Sequence, residues 1–363
     1  MKTGFDYYMS HFFSFIVPIY NVSHFIESGI DYLLNQSYKD FEIILVNDGS
    51  TDDSGKKCDY LSSIHENVHC FHQDNKGSGP ARNLGIKRAK GRYIVFFDID
   101  DRIEESLLKT CYDELNDKNF PDVFMFSYDS YDVKFKTLTQ TVFADIQCLS
   151  NHDIRHIYVD HLLGLKKLNG FVWNKVYKRD FLVNNRLEFP SLLIQQDEVF
   201  NLHVYRKASS LVISSQILYH YIVYDNGNTR SRFIPERLNI YNTVKNDFLK
   251  LYNDWNLKDE RMLKYVYLRF FKSIIETLNF NNTHKSSLLS NAMREKDFDM
   301  VFECDETTDC VHKLKQLDAV PSGFFYKSYY QAIKSNNKFI YKYIRFTERI
   351  IKSVKWKIKS ILH

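Results

Sequence analysis

The run Phe12-Phe13-Ser14-Phe15-Ile16-Val17, closed by Pro18, constrains this chain more than any other stretch. A nearly unbroken apolar run of strand length has no polar face to offer water, so it suits the central strand of a parallel sheet, buried on both sides. Pro18 ends it, because proline has no N–H to give to a sheet ladder. The pattern then repeats. Residues 23–36 place Phe25, Ile26, Gly29, Ile30, Leu33 and Leu34 at helical spacing, and residues 41–46 form a second apolar run. That is a βαβ unit. A third short strand is expected near residues 68–72, then a helix entered through the loop 75–85, then a fourth strand from Gly91. This alternation predicts an α/β fold with a right-handed, mostly parallel open sheet flanked by helices. Ligands are expected beyond the carboxyl ends of the strands. Pro18, Asp48 and Asp98 all fall there.

Further along, residues 104–116 read as a helix, 122–128 as another buried strand, and the stretch to about 141 as a hairpin. Residues 195–202 read as a helix start with acid in its first turn, and 211–224 as one or two strands. From about Pro235 the periodicity becomes helical. We therefore expect a first domain over 10–234, a helical domain over 235–337 and a tail helix over 338–363. A chain of 363 residues has room for about two domains. Its 12 Gly and 6 Pro leave little for flexible linkers, so the reading is globular throughout.

The net charge of +4 is mild, and its excess sits at the end: residues 338–363 hold eight Lys or Arg against one acid, Glu348. No nucleic-acid partner is expected from so local an excess. Within the tail, Ile340, Tyr343, Ile344, Ile350, Ile351, Val354, Ile358, Ile361 and Leu362 make one helical stripe. Lys342, Arg345, Arg349, Lys352, Lys355 and Lys359 lie mainly off it. Such a basic amphipathic helix either lies on an anionic membrane surface or docks on its own domain with a solvated basic face. Trp356 favours the interface. The uncharged run over residues 7–26 reads neither as a signal peptide nor as a membrane span, since Pro18, Asn21 and several Ser and His interrupt it. Six cysteines without a CxxC pair suggest reduced, structural thiols and a reducing compartment.

The fourth strand ends in Asp98-Ile99-Asp100-Asp101. Crowded carboxylates repel one another and lose hydration, so this grouping needs a cation or a ligand to offset it, or open solvent. Taken alone it reads three ways: a metal site for a phosphorylated substrate, the aspartate pair of a phosphatase, or a solvated loop start. The phosphatase reading wants a small hydroxyl residue shortly after the second Asp, where Arg102 and Ile103 stand. A Walker phosphate loop is absent, since Gly77-Ser78-Gly79-Pro80-Ala81-Arg82 fits neither glycine-rich pattern.

Four motifs in order favour the metal reading: Val17-Pro18-Ile19-Tyr20-Asn21, Val46-Asn47-Asp48-Gly49-Ser50-Thr51-Asp52, Gly79-Pro80-Ala81-Arg82-Asn83-Leu84-Gly85 and Phe97-Asp98-Ile99-Asp100-Asp101. Over roughly the first 105 residues this set resembles the family-2 glycosyltransferases of the GT-A fold. The resemblance continues at residues 173–179, at Phe189-Pro190, and at the acid before Phe200. There the family's Glu-Asp-x-x-Phe is matched with Gln196 in place of the first acid and Asp197 in place of the second.

The resemblance implies an inverting, metal-dependent transfer from a UDP-sugar to a glycan or lipid-linked acceptor in bacterial surface-polysaccharide synthesis. It also implies an enzyme in the cytoplasm, peripheral at the inner face of the cell membrane. Asp100 would hold Mn²⁺ or Mg²⁺, with Asp98 nearer the ribose and Asp101 supporting. Pro18, Tyr20 and Asp48 would line the uridine pocket, with Arg82 near the nucleotide. Asp197 would be the base that takes the acceptor's proton, with Glu198 as its rival. Trp173 would offer the acceptor a platform, and Arg230 and Arg232 would close over the diphosphate.

Each has a plainer reading. Pro18 ends a strand, Tyr20 and Trp173 are core, Asp48 shapes its own turn, and Asp197 is an acid at a helix start. His220, in an apolar stretch, reads as a satisfied, half-buried histidine. Two other functions stay open: a glycan-binding or scaffold protein that has kept the fold and lost turnover, for which Gln196 speaks, and a sugar-phosphate nucleotidyltransferase. The latter wants a glycine-rich basic loop where Pro18-Ile19-Tyr20-Asn21 stands. No feature sets the oligomeric state, and a homo-oligomer stays open.

Overall fold

The run that Pro18 closes is β1 (His11–Ile19), with parallel neighbours on both sides. The computed structural model describes residues 11–163, 170–224, 234, 236–280 and 290–361. They belong to two compact units, Met1–Asn228 and Thr229–His363. In the first, β1 is followed by α1 (Ile26–Leu34), β2 (Phe41–Asp48), α2 (Ser54–Ile64), β3 (Val68–Gln73), α3 (Ser78–Arg88) and β4 (Gly91–Phe96). All eight residues of β2 are buried, as a central strand covered by helices on both faces requires. Next come β5 (Arg102–Ile103), α4 (Leu107–Asp117), the hairpin β6 (Val123–Asp132) and β7 (Thr137–Thr141), β8 (Ile146–Cys148) and α5 (Asn151–Ile157). The unit closes with β9 (Lys175–Lys178), α6 (Arg179–Asn184), α7 (Gln196–Lys207) and β10 (Leu211–Val223).

The sheet order is β3-β2-β1-β4-β9-β6-β10-β5, with β7 on β6 and β8 on β10. Parallel pairing holds from β3 to β4 and again between β6 and β10. Between these blocks β9 runs antiparallel to both β4 and β6, so the sheet is mixed. Four residues that include a lysine carry too little periodicity to announce such a strand.

The second unit is helical: α8 (Arg237–Asp254), α9 (Glu260–Phe280), α10 (Asn291–Glu303), α11 (Asp305–Gln316), α12 (Phe324–Lys334) and α13 (Lys338–Ile361). Its core gathers Phe271, Ile274, Phe298, Cys310, Leu314 and Tyr341. The tail helix docks through Tyr341, which is fully buried and donates its hydroxyl to Asn279 Oδ1 at 3.1 Å, and through Ile344. The single apolar stripe expected of the tail therefore divides. Ile344 faces inward, whereas Tyr343 and Ile350 are exposed, because residues 343 and 344 point about 100° apart on a helix. The side chains of residues 353–361, Trp356 among them, and residues 362–363 lie outside the described set. Among the described residues no helix is long and apolar enough to cross a membrane.

Candidate functional site

The ends of β1 and β2 are laced together by short polar side chains. Asn21 Oδ1 accepts from the Thr51 N–H at 2.8 Å, Ser50 Oγ from the Asn21 N–H at 3.1 Å, and Asp52 Oδ2 from the Ser23 N–H at 3.1 Å. At the end of β2 the buried Asp48 accepts three bonds, from Gln73 Nε2 at 2.6 Å and from the N–H groups of Lys76 at 2.9 Å and Gly77 at 2.8 Å. Asp48 thus shapes the loop that enters α3, and a carboxylate has room for about four donors, so capacity remains for a ligand. Pro18 is half-buried one residue from the end of β1, and Tyr20 beyond it is exposed.

At the end of β4 the chain turns sharply, with the Asp101 N–H donating to Asp98 O at 3.0 Å. The turn lies tight on α1. A Cβ added at Gly29 would come within 2.5 Å of Ile99 O, so only glycine allows this approach. The carboxylates then diverge. Asp98 accepts from Arg82 Nη2 at 2.8 Å. Asp101 is buried and directed into β10, accepting from Tyr219 Oη at 2.7 Å and from the Ile222 N–H at 2.8 Å. It buttresses the turn. Asp100 pairs with no Lys or Arg among the described residues, and burial together with the Asp98 charge pushes its carboxyl up to about 6.

Arg82 joins this turn to a second one. Its other terminal nitrogen, Nη1, donates to Asp197 Oδ1 at 2.8 Å, so one buried guanidinium fork holds Asp98 and Asp197 together. Burial alone would weaken its charge; the two carboxylates raise its pKa. The next residue, Asn83, pairs with both backbone groups of Phe189 at 2.8 and 2.9 Å, which pins α3 to the segment before α7. Gln195 then adopts a left-handed φ of 65° and Asp197 falls in the first turn of α7. Burial raises the Asp197 pKa, Arg82 opposes the rise, Asp98 adds to it and Lys175 opposes it. Glu198, 5% exposed, sits deeper than Asp197, whose side chain is 25% exposed.

Gln196 stands where the family has its first acid. Its amide nitrogen donates to Ser78 Oγ, while Oε1 is buried without a partner among the described residues. An added Cβ at Gly79 would lie 2.2 Å from that oxygen, so glycine is what lets α3 and α7 meet here.

Lys175 was not among the residues singled out by motif. It is fully buried on β9, donates to Phe171 O and to Asn174 Oδ1, and burial pushes its pKa down to about 7 against the pull of Asp197. A lysine inside a run of strand-forming, aromatic-flanked residues was the available signal.

Trp173 departs from its expected role. It is 2% exposed, with Phe171 stacked at 4.5 Å and Tyr219 at 4.4 Å, so neither face of the indole is free for an acceptor sugar. Arg230 and Arg232 lie outside the described residues. His220 is satisfied as expected, with Asp129 at 2.9 Å on one ring nitrogen and Glu104 at 2.9 Å on the other.

The donor set at the β4 turn fits a hard divalent cation: carboxylate oxygens, one of them partly buried beside a like charge and unpaired with Lys or Arg. A second cluster, Asp59, Cys70 and His72, has ligand atoms within 4.8 Å of one another. Asn47 Oδ1 accepts from the Ser50 N–H there, so Asn47 Nδ2 donates to His72 Nδ1. That leaves Nε2 as the protonated nitrogen, which donates to Asp59 at 2.8 Å. The cluster is a hydrogen-bonded clasp between α2 and β3.

A family model described as glycosyl transferase family 2 matches residues 14–184. Glycosyltransferase GlyG of Streptococcus pneumoniae serotype 4 is 33% identical over 218 residues, covering 59% of this chain and 71% of GlyG. EpsH of Bacillus subtilis is 32% identical over 218 residues, covering 58% of this chain and 60% of EpsH, under two thirds of that protein. Among solved structures, S. aureus TarS 1-349 in complex with UDP-GlcNAc superposes with a TM-score of 0.61 at 19% identity, covering 93% of this chain and 91% of the other. That likeness is one of fold.

Proposed function

The chain belongs to the family 2 glycosyltransferases, and on that premise we propose that it moves a sugar from a UDP-sugar to a glycan or lipid-linked acceptor, with inversion. The observation that carries this reading is the Arg82 fork, which brings the acidic turn of β4 and the acid of α7 into one site.

Asp100, with Asp98 beside it, would hold Mn²⁺ or Mg²⁺, whose chemistry is to take up negative charge growing on a diphosphate. Asp48, Pro18 and Tyr20 stand at the neighbouring strand ends, where the uridine would lie. The S. aureus TarS structure with UDP-GlcNAc supports a uridine nucleotide donor. Asp197 is the base. Its role requires an ionised carboxylate within about 2.6–3.2 Å of the attacking hydroxyl, and Arg82 and Lys175 counter the burial that would protonate it. Attack from the face opposite the leaving group inverts the anomeric centre, as in inverting glycoside hydrolysis. The acceptor is proposed to lie at the cytoplasmic face of the cell membrane. A second reading, a sugar-binding protein without turnover, draws on Gln196, which leaves the site one negative charge short of the family pattern.

UDP release from a panel of UDP-sugars with Mn²⁺ separates the two. We expect the wild type to turn over at least one donor. Asp197→Asn should lower the rate by about 10²–10⁴-fold, and Asp100→Asn should abolish the response to metal. Turnover that survives both substitutions refutes the site; no turnover with any donor, but saturable UDP binding, establishes the second reading.

A further inference from the structure

The face of α13 turned away from its own unit is apolar as well. Phe339, Tyr343, Phe346 and Ile350 are 82, 63, 61 and 48% exposed. At roughly 100° per residue their spacing of four, three and four puts them on one side of the helix. Tyr341 and Glu348, which hold the helix to its unit, fall on the opposite side. Isolated exposed apolar residues are ordinary, but four in register, two of them phenylalanines, form a surface that needs a cover.

Charge selects the cover. Near the start of the helix, Lys338 pairs with Asp299 and Glu303, and Lys342 with Glu295, so α10 neutralises that half. Beyond it, residues 349–363 contain Arg349, Lys352, Lys355, Lys357 and Lys359 and no Asp or Glu. Among the described residues, Glu348, just before this run, pairs with one of them, Lys352. A second copy of the helix would bring the same cations and a single acid, Glu348, already paired with Lys352. An anionic lipid surface supplies both an apolar layer and the missing negative charge.

We propose that α13 docks the protein on anionic bilayers, its Phe339-Tyr343-Phe346-Ile350 stripe lying in the interface and the net positive charge of residues 349–363 drawing the helix to the anionic surface. The helix lies on the membrane and does not cross it, consistent with the absence of a span among the described residues. This deepens the reading of a membrane-side acceptor by naming the surface that brings the enzyme to it.

The test is co-sedimentation of the full chain with phosphatidylglycerol or phosphatidylcholine vesicles, beside sedimentation velocity without lipid. The wild type should partition to phosphatidylglycerol alone. A double variant, Phe339→Ser with Phe346→Ser, should lose at least about tenfold of that partition. A triple variant, Lys355→Gln, Lys357→Gln and Lys359→Gln, which removes three positive charges, should lose about tenfold at low salt. All the substituted residues lie outside the catalytic unit, so UDP release in solution should persist in both variants. No wild-type partition, or partition unchanged in the double variant, overturns the proposal. So does a wild-type oligomer that the double variant dissolves, since a second copy would then cover the stripe. Vesicle binding without UDP release would leave the docking surface standing and sink the proposed transfer.

Discussion

Two aspartate-rich loops leave the same edge of the sheet in opposite electrostatic states. After β2, Asp48 accepts from two backbone N–H groups and an amide. Asp52 accepts from the N–H groups of Ser23 and Ser54. Burial works against the Asp52 charge, yet the Ser54 hydroxyl, these N–H bonds and the Ser23 hydroxyl pull its carboxyl down to about 2. After β4, Arg82 draws off Asp98, while burial and like charge act on the other two: Asp100 is pushed up to about 6, and Asp101 is pushed well above the usual carboxylate range against its bonds to β10. Where every charge has donors, the acids build the loop. Where burial and like charge outweigh the donors, the fold holds carboxylates whose charge a ligand can offset.

The pH dependence of stability probes that charge. Asp100 holds its proton more tightly folded than unfolded, where the ordinary value is 3.8. Stability should therefore fall as pH rises from about 4 to about 6, by up to about 3 kcal/mol. Asp100→Asn should make the fall shallower, with Asp101, whose carboxyl is also raised, supplying what remains, and Mn²⁺ should restore stability above pH 6 in the wild type alone. Melting temperatures across this range check it; parallel curves for wild type and variant would remove the contrast between the loops.

The neighbouring residue should behave in the reverse sense. Asp101→Ala strands the Tyr219 hydroxyl and the Ile222 N–H inside the unit, at a cost of about 2–3 kcal/mol in urea unfolding. Asp101→Asn, which keeps an acceptor for Ile222, should cost less. If Asp101→Ala proves neutral, Asp101 is not the buttress its contacts suggest.

Much of this was legible in the chain. The apolar runs ending at Pro18, Asp48 and Asp98 are local patterns, and each marks a strand whose end lies at the site. What escaped depends on distant pairing. Nothing near Asp101 in sequence tells it from Asp100; the difference is Tyr219 and Ile222, more than a hundred residues on. Arg82 reads as a nucleotide contact by motif, yet its fork is engaged by two acids, one of them 115 residues away. Trp173 reads both as a platform and as core, because a residue type cannot say whether a ring's faces are free. Lys175 is silent in sequence because a lysine counts as surface until a strand buries it. In the tail, a helical stripe wide enough to include both Tyr343 and Ile344 concealed two faces with different partners.

The smallest expected effect is the sharpest comparison, because it repeats one substitution in the other loop. Asp48→Asn keeps the shape of the side chain but turns one oxygen into a donor. That nitrogen must face either the Gly77 N–H or the donors from Gln73 and Lys76, so at least one bond becomes a repulsion. We expect a loss of about 1–2 kcal/mol in urea unfolding at pH 8, where Asp100→Asn should stabilise the metal-free protein. The loop entering α3 would also be released, so UDP should bind more weakly even if its base never touches residue 48. Equal signs for the two Asp→Asn changes would show that the loops differ in sequence and not in electrostatic state.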